Sequence, residues 1–292
     1  MRKLLLGVAL LGLTFGSFAA ETAKTAQPTA KQLMQSAKAS AIGKLKLNQR
    51  AKLIGEAVKV VAETQKVLKL LKEGKTEEAL KLLEKVDGQM AELVERYNLY
   101  KVPVDVTFVE FNGINDLKLA KRLNRAVKEA VNANNFVAAR QLLVLLRNEI
   151  DVQTTYMPLA LYKEAIDMAL KFLREDRVQA AEYALQSALG TLEVEVTVIP
   201  KPILEAQMLI ADAEKIYKKD PEGALKLLKK AEYDIKLTVA LGYLPSEEAA
   251  KPLLEKIEKL MKSIENKKAT AESFKGVKEE MKKLRREATS VQ

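Results

Sequence analysis

Paired carboxylates are the residues of this sequence whose spacing comes closest to that of a catalytic site. Glu193 and Glu195 lie two positions apart in a segment of alternating apolar and polar residues, so a strand would place both on one face. Such a pair could act as general acid and general base. The spacing is more typical of the solvent-facing side of an amphipathic strand, and Asp105 and Glu110, five apart, would lie on opposite faces.

The composition excludes most other catalytic chemistry. The chain has no His and no Cys, so it can form neither a Ser-His-Asp or Cys-His nucleophile system nor a zinc site built from those ligands. Its 12 glycines form no phosphate-binding motif. The sequence therefore predicts a non-enzymatic protein with no catalytic residues, no cofactor and no metal, and a hydrolase acting through carboxylates alone is the enzymatic alternative. Four acidic residues near a predicted helix end lack the ordered spacing of a calcium loop: Asp212, Glu214, Asp220 and Glu222.

The charge of the chain is basic but not arranged for nucleic acid. The formal net charge is +10, yet Lys and Glu alternate at helical spacing, as in residues 72–78, which is typical of a solvated helix face. Aromatic residues make up only 5% and do not interleave with basic runs. We therefore expect no nucleic-acid partner, and we expect at most weak contact with an anionic membrane surface.

The N-terminus indicates export. Arg2 and Lys3 precede an apolar run from Leu4 to Phe18, and residues 17–19 offer small side chains at the two positions that a signal peptidase recognises. We predict a signal peptide over residues 1–19, a flexible leader over 20–31 and a periplasmic or otherwise exported mature protein. An uncleaved membrane anchor is the alternative.

A helical hairpin recurs four times, and each copy turns through a polar corner into an Ala-Leu-rich second helix. Copies two to four lie 42 and 43 residues apart, a period that indicates stacked supersecondary units. We predict a mainly α fold of stacked antiparallel hairpins over residues 32–245. The second helices align at Ala79, Ala139, Ala181 and Ala224, and the corners lie at Gly74, Asn134, Asp176 and Lys219.

Two segments interrupt the helical pattern. Valines alternate with polar residues over 102–108 and again over 192–198, which predicts two strands, each with one face buried. Because an isolated strand leaves backbone groups unpaired, we expect the two to form a small two-stranded β element, either within the chain or with a second subunit. The second arrangement would make the protein a homo-oligomer.

The run Asp151–Leu159, the following hairpin with Ala181 and Leu185, and the Val-rich strand ending at Pro200 resemble the YfdX family of exported bacterial proteins. The most specific piece of this family-like motif is Tyr156-Met157-Pro158-Leu159. The resemblance implies a mainly helical periplasmic protein that is associated with stress responses and has no assigned reaction.

The family-like motif also has a structural explanation. Pro158 suits the first turn of a helix and restricts Met157 to extended geometry, so the chain would turn sharply there. Pro200 would act similarly at the end of the second predicted strand. A small pocket lined by Tyr156, Met157 and Tyr162 is the functional alternative.

The segment 246–292 differs from the repeats and is predicted to be a C-terminal extension of two amphipathic helices. One interpretation is a hairpin that caps the array, and the other is an interaction arm that docks on another subunit or on a membrane. Its two apolar stripes comprise Leu253, Ile257, Leu260 and Ile264, then Phe274, Val277, Met281 and Leu284.

Together these features predict a soluble, exported, self-associating stress-associated protein of YfdX type. The alternative is a helical-repeat adaptor, or chaperone-like binder, that recognises a partner peptide or an unfolded protein.

Overall fold

The structure, a computed structural model, describes residues 47–97 and 99–291. The predicted signal peptide and leader, residues 1–31, lie outside the described residues. The described chain folds into antiparallel helical hairpins with a small antiparallel sheet, so the predicted fold class is confirmed. The helices are α1 Leu47–Lys72, α2 Thr76–Tyr97, α3 Leu117–Asn132, α4 Phe136–Leu146, α5 Leu159–Arg174, α6 Val178–Gly190, α7 Lys201–Ile216, α8 Pro221–Ala240, α9 Glu247–Glu265 and α10 Ala271–Ala288. The strands are β1 Lys101–Phe111, β2 Glu149–Pro158, β3 Glu193–Pro200 and β4 Ser290–Val291.

Three of the four predicted hairpin corners have the same backbone conformation. Gly74, Asn134 and Asp176 have φ of 74°, 54° and 61°. At each corner, the residue that follows donates its N–H to the carbonyl of the residue five positions before it. This left-handed ending satisfies the last carbonyls of the first helix. The fourth corner, at Lys219, has no positive-φ residue, and Asp220 caps α8 instead.

A fifth hairpin, α9–α10, turns in the same way as the first three. Lys267 has a φ of 55°, and Lys268 N–H donates to the Ser263 carbonyl at 2.8 Å. The sequence does not align this hairpin with the other four, because Glu272 occupies the position at which their second helices carry Ala. That Ala is buried in each of the four predicted copies, at Ala79, Ala139, Ala181 and Ala224.

The sheet differs from the prediction. The two predicted strands do not pair with each other, because β2 lies between β1 and β3 in a sheet of order β1-β2-β3-β4. The prediction of a two-stranded element is wrong because Glu149–Pro158, whose burial does not alternate along the segment, forms a further strand between the two. Both strands predicted from the Val-rich segments are present, and the β4 contact adds two residues at the outer edge of β3.

A bulge at Val104 shifts the register of β1 against β2. One extra residue reverses the faces that the following side chains occupy. Val102 and Val104 consequently pack among the helices of the first core, whereas Phe108 lies on the other face of the sheet beside Val152. The predicted burial of one face along the whole of β1 was therefore wrong beyond the bulge.

Two cores lie on either side of this sheet. The first contains apolar side chains from α1, α2, α5 and α6, and the second contains side chains from α7, α8, α9 and α10. A smaller cluster joins α3 and α4 to the end of α8. The α3–α4 hairpin thus rests on α8 outside both of the larger cores.

The C-terminal helices are part of the second core. All eight stripe residues are buried, and their packing partners include Ile203 and Ile210 of α7 and Leu228 and Ile235 of α8. In this structure the segment seals α7 and α8, as a capping hairpin would. An arm that presents the same side chains to another molecule would first have to leave this core. The eight residues are Leu253, Ile257, Leu260, Ile264, Phe274, Val277, Met281 and Leu284.

Candidate interaction surface

Glu193 and Glu195 lie close together because both carboxylates bind the same cation. Lys101 Nζ lies 3.0 Å from Glu193 Oε2 and 2.5 Å from Glu195 Oε1, and 4.8 Å from the centroid of the Tyr156 ring. Hydrogen bonds to Glu195 and Glu193 raise the pKa of Lys101, so the ammonium stays charged. Both carboxylates therefore bind one cation across the sheet, an arrangement that links β1 to β3 over β2.

The family-like motif joins β2 to α5. Met157 and Leu159 are buried in the first core, and Pro158 has a φ of −68° and caps α5. Leu159 N–H donates to the Tyr100 carbonyl at 3.0 Å, so the helix start is tied to the chain entering β1. Pro200, with a φ of −62°, makes the same strand-to-helix transition into α7.

Tyr162, the third residue of the alternative pocket, is fully buried. Burial raises the pKa of its phenol to about 12. Tyr156 is half-buried beneath Lys101, whereas Met157 and Tyr162 are buried in the first core. The three side chains therefore lie in two different environments.

A buried polar cluster that sequence reasoning missed lies where α4 meets β2. The Arg147 guanidinium stacks 3.4 Å from the centroid of Phe111, donates through Nε to Glu149, and donates to Asp151 Oδ2 at 2.7 Å. Burial and the neighbouring Glu149 raise the pKa of Asp151. The sequence contains only a partial signal: a strand would place Glu149 and Asp151 on one face just after Arg147, but β2 itself is not predicted.

Tyr243 connects this cluster to the loop after α8. Its hydroxyl donates to Glu149 Oε2 at 2.7 Å and accepts from Asn148 N–H at 2.8 Å. Burial and Glu149 both raise the pKa of the Tyr243 phenol, so it remains a neutral donor. The cluster thus fixes the α3–α4 hairpin against the second half of the chain.

A second buried acid lies on α8. Asp234 is fully buried, accepts from Lys230 Nζ through Oδ1, and has no hydrogen-bond partner at Oδ2. Burial raises its pKa to about 7, against the lowering effect of Lys230. Glu205 of α7, whose pKa is also raised by burial, adds to the negative charge nearby.

The acidic residues considered as a cation site do not converge. Asp212 pairs with Lys215 at 2.7 Å, and Asp220 accepts from Gly223 N–H at the start of α8. Among residues 47–97 and 99–291, no three acidic side chains are grouped so that they could hold a metal ion. Within the same residues, no helix combines the length and apolar character needed to cross a bilayer.

The outer face of α4 is the most unusual surface of the described chain. Val137 is 72% exposed and Phe136 63%, and no other described helix exposes more than two large apolar side chains. Only Ala139 and Leu146 of α4 are buried. Exposed apolar side chains in this number on one helix are typical of an interaction site. The apolar face of α4 comprises Phe136, Val137, Leu143, Val144 and Leu145.

The α3–α4 hairpin is rich in exposed cations. Arg140 lies in the middle of α4, and α3 exposes five further basic side chains on its outer surface. The apolar face of α4 therefore suits a partner that offers apolar side chains together with an acidic group for Arg140. The α3 cations are Lys118, Lys121, Arg122, Arg125 and Lys128.

Comparison with known proteins identifies one family. Residues 60–198, which run from α1 to β3, match the family model described as "YfdX protein". A solved structure of Salmonella Typhi YfdX is 14% identical, with 49% of this chain and 89% of that chain covered and a TM-score of 0.36. No curated protein matches the chain. Helices α7–α10 lie beyond the matched residues.

Proposed function

We propose that this chain, whose residues 60–198 match the YfdX family model, is an exported, non-enzymatic, stress-associated protein that associates with further copies of itself. The predicted signal peptide supports export to the periplasm. The lack of His and Cys, together with the pairing of Glu193 and Glu195 on one ammonium, supports a role other than catalysis. The observation that carries self-association is the apolar face of α4.

The apolar face of α4 is suited to pack against its own copy. Arg140 and Gln141 lie at the middle of this 11-residue helix, with apolar side chains towards both ends. In an antiparallel pair about a two-fold axis, Val137 of one protomer would lie near Val144 of its partner, because both lie opposite the buried side of α4. Arg140 would lie at the edge of this contact, where its long stem covers apolar surface while the guanidinium reaches solvent.

Light scattering on the exported protein tests this proposal. We expect a defined oligomer for the native sequence and a monomer for the double variant Val137→Glu, Val144→Glu, because two carboxylates would be buried in the interface. Both positions are well exposed, so the variant should retain its helical content. Mass spectrometry of the same sample checks export, since cleavage after Ala19 would leave Ala20 as the first residue.

A matched control lies on α5. Leu161 and Met168 have the same spacing as Val137 and Val144 and are also exposed. The double variant Leu161→Glu, Met168→Glu should leave the oligomer intact. A monomeric native protein, or dissociation by the α5 variant and not by the α4 variant, would contradict the proposed interface.

The second candidate function is an adaptor or chaperone-like binder that uses the same face for an unfolded chain. Arg140 in the middle of α4 favours it, because two copies would bring their Arg140 side chains together whereas a client with acidic residues would not. Suppression of aggregation of denatured lysozyme by the native sequence, lost in the α4 variant and kept in the α5 variant, would support this function. It would take precedence if the native protein is monomeric.

A further inference from the structure

A cleft of about 590 Å³ opens between α3, the end of α8 and the start of α9. Lys121, Arg125 and Lys128 form its basic wall, because residues three and four apart lie on one face of a helix. Val239 and the exposed Pro245 contribute apolar surface to the rest of its lining. Small-molecule sites typically have volumes of about 300–1,000 Å³ and combine apolar surface with a few polar groups.

The cleft carries excess positive charge. Lys121 Nζ pairs with Glu247 Oε1 at 2.8 Å across the opening between α3 and α9. No carboxylate of the described residues lies within ion-pair distance of Arg125 or Lys128, and both side chains are exposed to solvent in the cleft. One acid thus faces three cations, so two charges are left for a ligand.

The backbone holds both walls in place before any ligand arrives. Gly242 has a φ of 92° and its N–H donates to the Val239 carbonyl at 3.0 Å, which ends α8 and turns the chain towards α9. Asn124 Nδ2 on the basic wall donates to the Ala240 carbonyl at 3.0 Å. A preformed cleft lowers the entropy cost of binding.

We propose that this cleft binds a small amphiphilic anion, a phosphate or carboxylate group on an apolar body, with Arg125 and Lys128 as partners of the anion. The apolar body would lie against Val239 and Pro245. Most of the cleft lining comes from the end of α8, the following loop and the start of α9, all outside residues 60–198, so the cleft exists only together with this chain's C-terminal part.

Calorimetric titration of the full exported chain with phenyl phosphate tests the site. We expect saturable one-to-one binding, weaker binding of inorganic phosphate, and none of phenol, because the anion and the ring contribute together. Equal affinity for inorganic phosphate would show that the apolar side contributes nothing and would overturn the proposal. Binding to phosphatidylglycerol vesicles without binding to soluble phenyl phosphate would also overturn it, in favour of a lipid surface.

Charge reversal at the anion's partners should weaken this binding. The double variant Arg125→Glu, Lys128→Glu should weaken phenyl phosphate binding at least about tenfold, since charge-assisted hydrogen bonds are lost. The control Lys118→Glu, Arg122→Glu changes the net charge equally on the same helix but outside the cleft, and it should bind within about twofold of the native protein. Equal loss in both variants would show only a net-charge effect and would overturn the site.

Glu247 provides a test with the opposite sign. Because this carboxylate competes with the ligand for Lys121 and repels an anion, Glu247→Gln should tighten phenyl phosphate binding by a few-fold, roughly two- to fivefold. The control Glu129→Gln, an exposed residue of α3 outside the cleft lining, makes the same change in net charge and should have less effect. Unchanged or weaker binding by Glu247→Gln would contradict the proposed placement of the anion.

Discussion

Two hairpins that pack against α8 differ in how they use their apolar residues. The α3–α4 hairpin contains the most apolar helix of the described chain, since Arg140 and Gln141 are the only polar residues of α4, yet this helix buries only Ala139 and Leu146. The α9–α10 hairpin is rich in charge and buries every residue of its two apolar stripes. Both turn through a left-handed residue, so the difference lies in packing and not in local geometry.

This difference shows that the width of an apolar face matters more than its presence. A narrow stripe on a charged helix covers one neighbour and leaves a solvated outer face, which is what α9 and α10 do against α7 and α8. A helix that is apolar around most of its circumference has surface left over after it has packed on one neighbour. On α4 that remaining surface is exposed, and it is where we expect a partner.

Deletion of residues 246–292 should reduce the stability of the fold more than any single substitution in either hairpin. The truncated chain would expose Ile203, Ile210, Leu228 and Ile235, which pack against the C-terminal hairpin. We expect it to aggregate or to lose cooperative unfolding, as measured by light scattering and thermal denaturation. A well-folded truncated protein of lower oligomeric state would instead favour the interaction arm and weaken our assignment of the interface to α4.

Two phenylalanines provide a matched test at single-residue level. Phe274 of α10 is fully buried, with its ring centroid 5.0 Å from that of Tyr217, whereas Phe136 of α4 is 63% exposed. Phe274→Ala should reduce the free energy of unfolding by about 3–5 kcal/mol. Phe136→Ala should change it by no more than about 0.5 kcal/mol in the monomer. Urea denaturation at low protein concentration measures both, and similar costs at the two sites would remove the basis of the comparison.

The sequence predicts the hairpins and both Val-rich strands of the sheet because each has a clear period. It does not predict β2, whose Ile150 and Val152 are followed by Thr154 and Tyr156. Burial along β2 does not alternate between buried and exposed residues, so the strand has no period-two pattern. The bulge at Val104 could not be expected either, because only the register with β2 shows it.

The interaction surface was harder to predict than the fold. Apolar stripes on α9 and α10 and the apolar residues of α4 are equally visible in the sequence. Which of them is covered depends on contacts between elements far apart in the chain, such as α8 with α9. The Arg147 cluster likewise depends on Tyr243, which is 94 residues from Glu149.

The interior beside the C-terminal hairpin should also respond to pH. Asp234 has its pKa raised to about 7 by burial, from 3.8. Because the folded state binds this proton more tightly than the unfolded state, the contribution of Asp234 to stability is present at low pH and is lost as the pH rises from about 4 to about 7. Lys230 and Glu205 are the charged groups that act on it.

Asp234→Asn should remove this dependence. At pH 8 we expect the variant to be more stable than the native protein by at least about 1.4 kcal/mol, the free energy of one pKa unit, and at pH 4 we expect no gain. Asp212→Asn, at an exposed position on α7, is the control and should leave the pH profile unchanged. Equal profiles for the native protein and Asp234→Asn would show that the buried carboxyl titrates as it would in solvent.

Ion pairs on the outer face of the C-terminal hairpin should contribute least. Lys256 Nζ of α9 lies 2.6 Å from Glu280 Oε2 of α10, and the hydrogen bond to Lys256 lowers the pKa of Glu280. Both side chains reach solvent, so Glu280→Gln should cost less than about 1 kcal/mol and the cost should shrink in high salt. A double-mutant cycle with Lys256→Gln measures the coupling. A coupling comparable to the loss in Phe274→Ala would mean that surface charge, and not the buried stripe, holds α9 against α10, and the contrast with α4 would then need a different explanation.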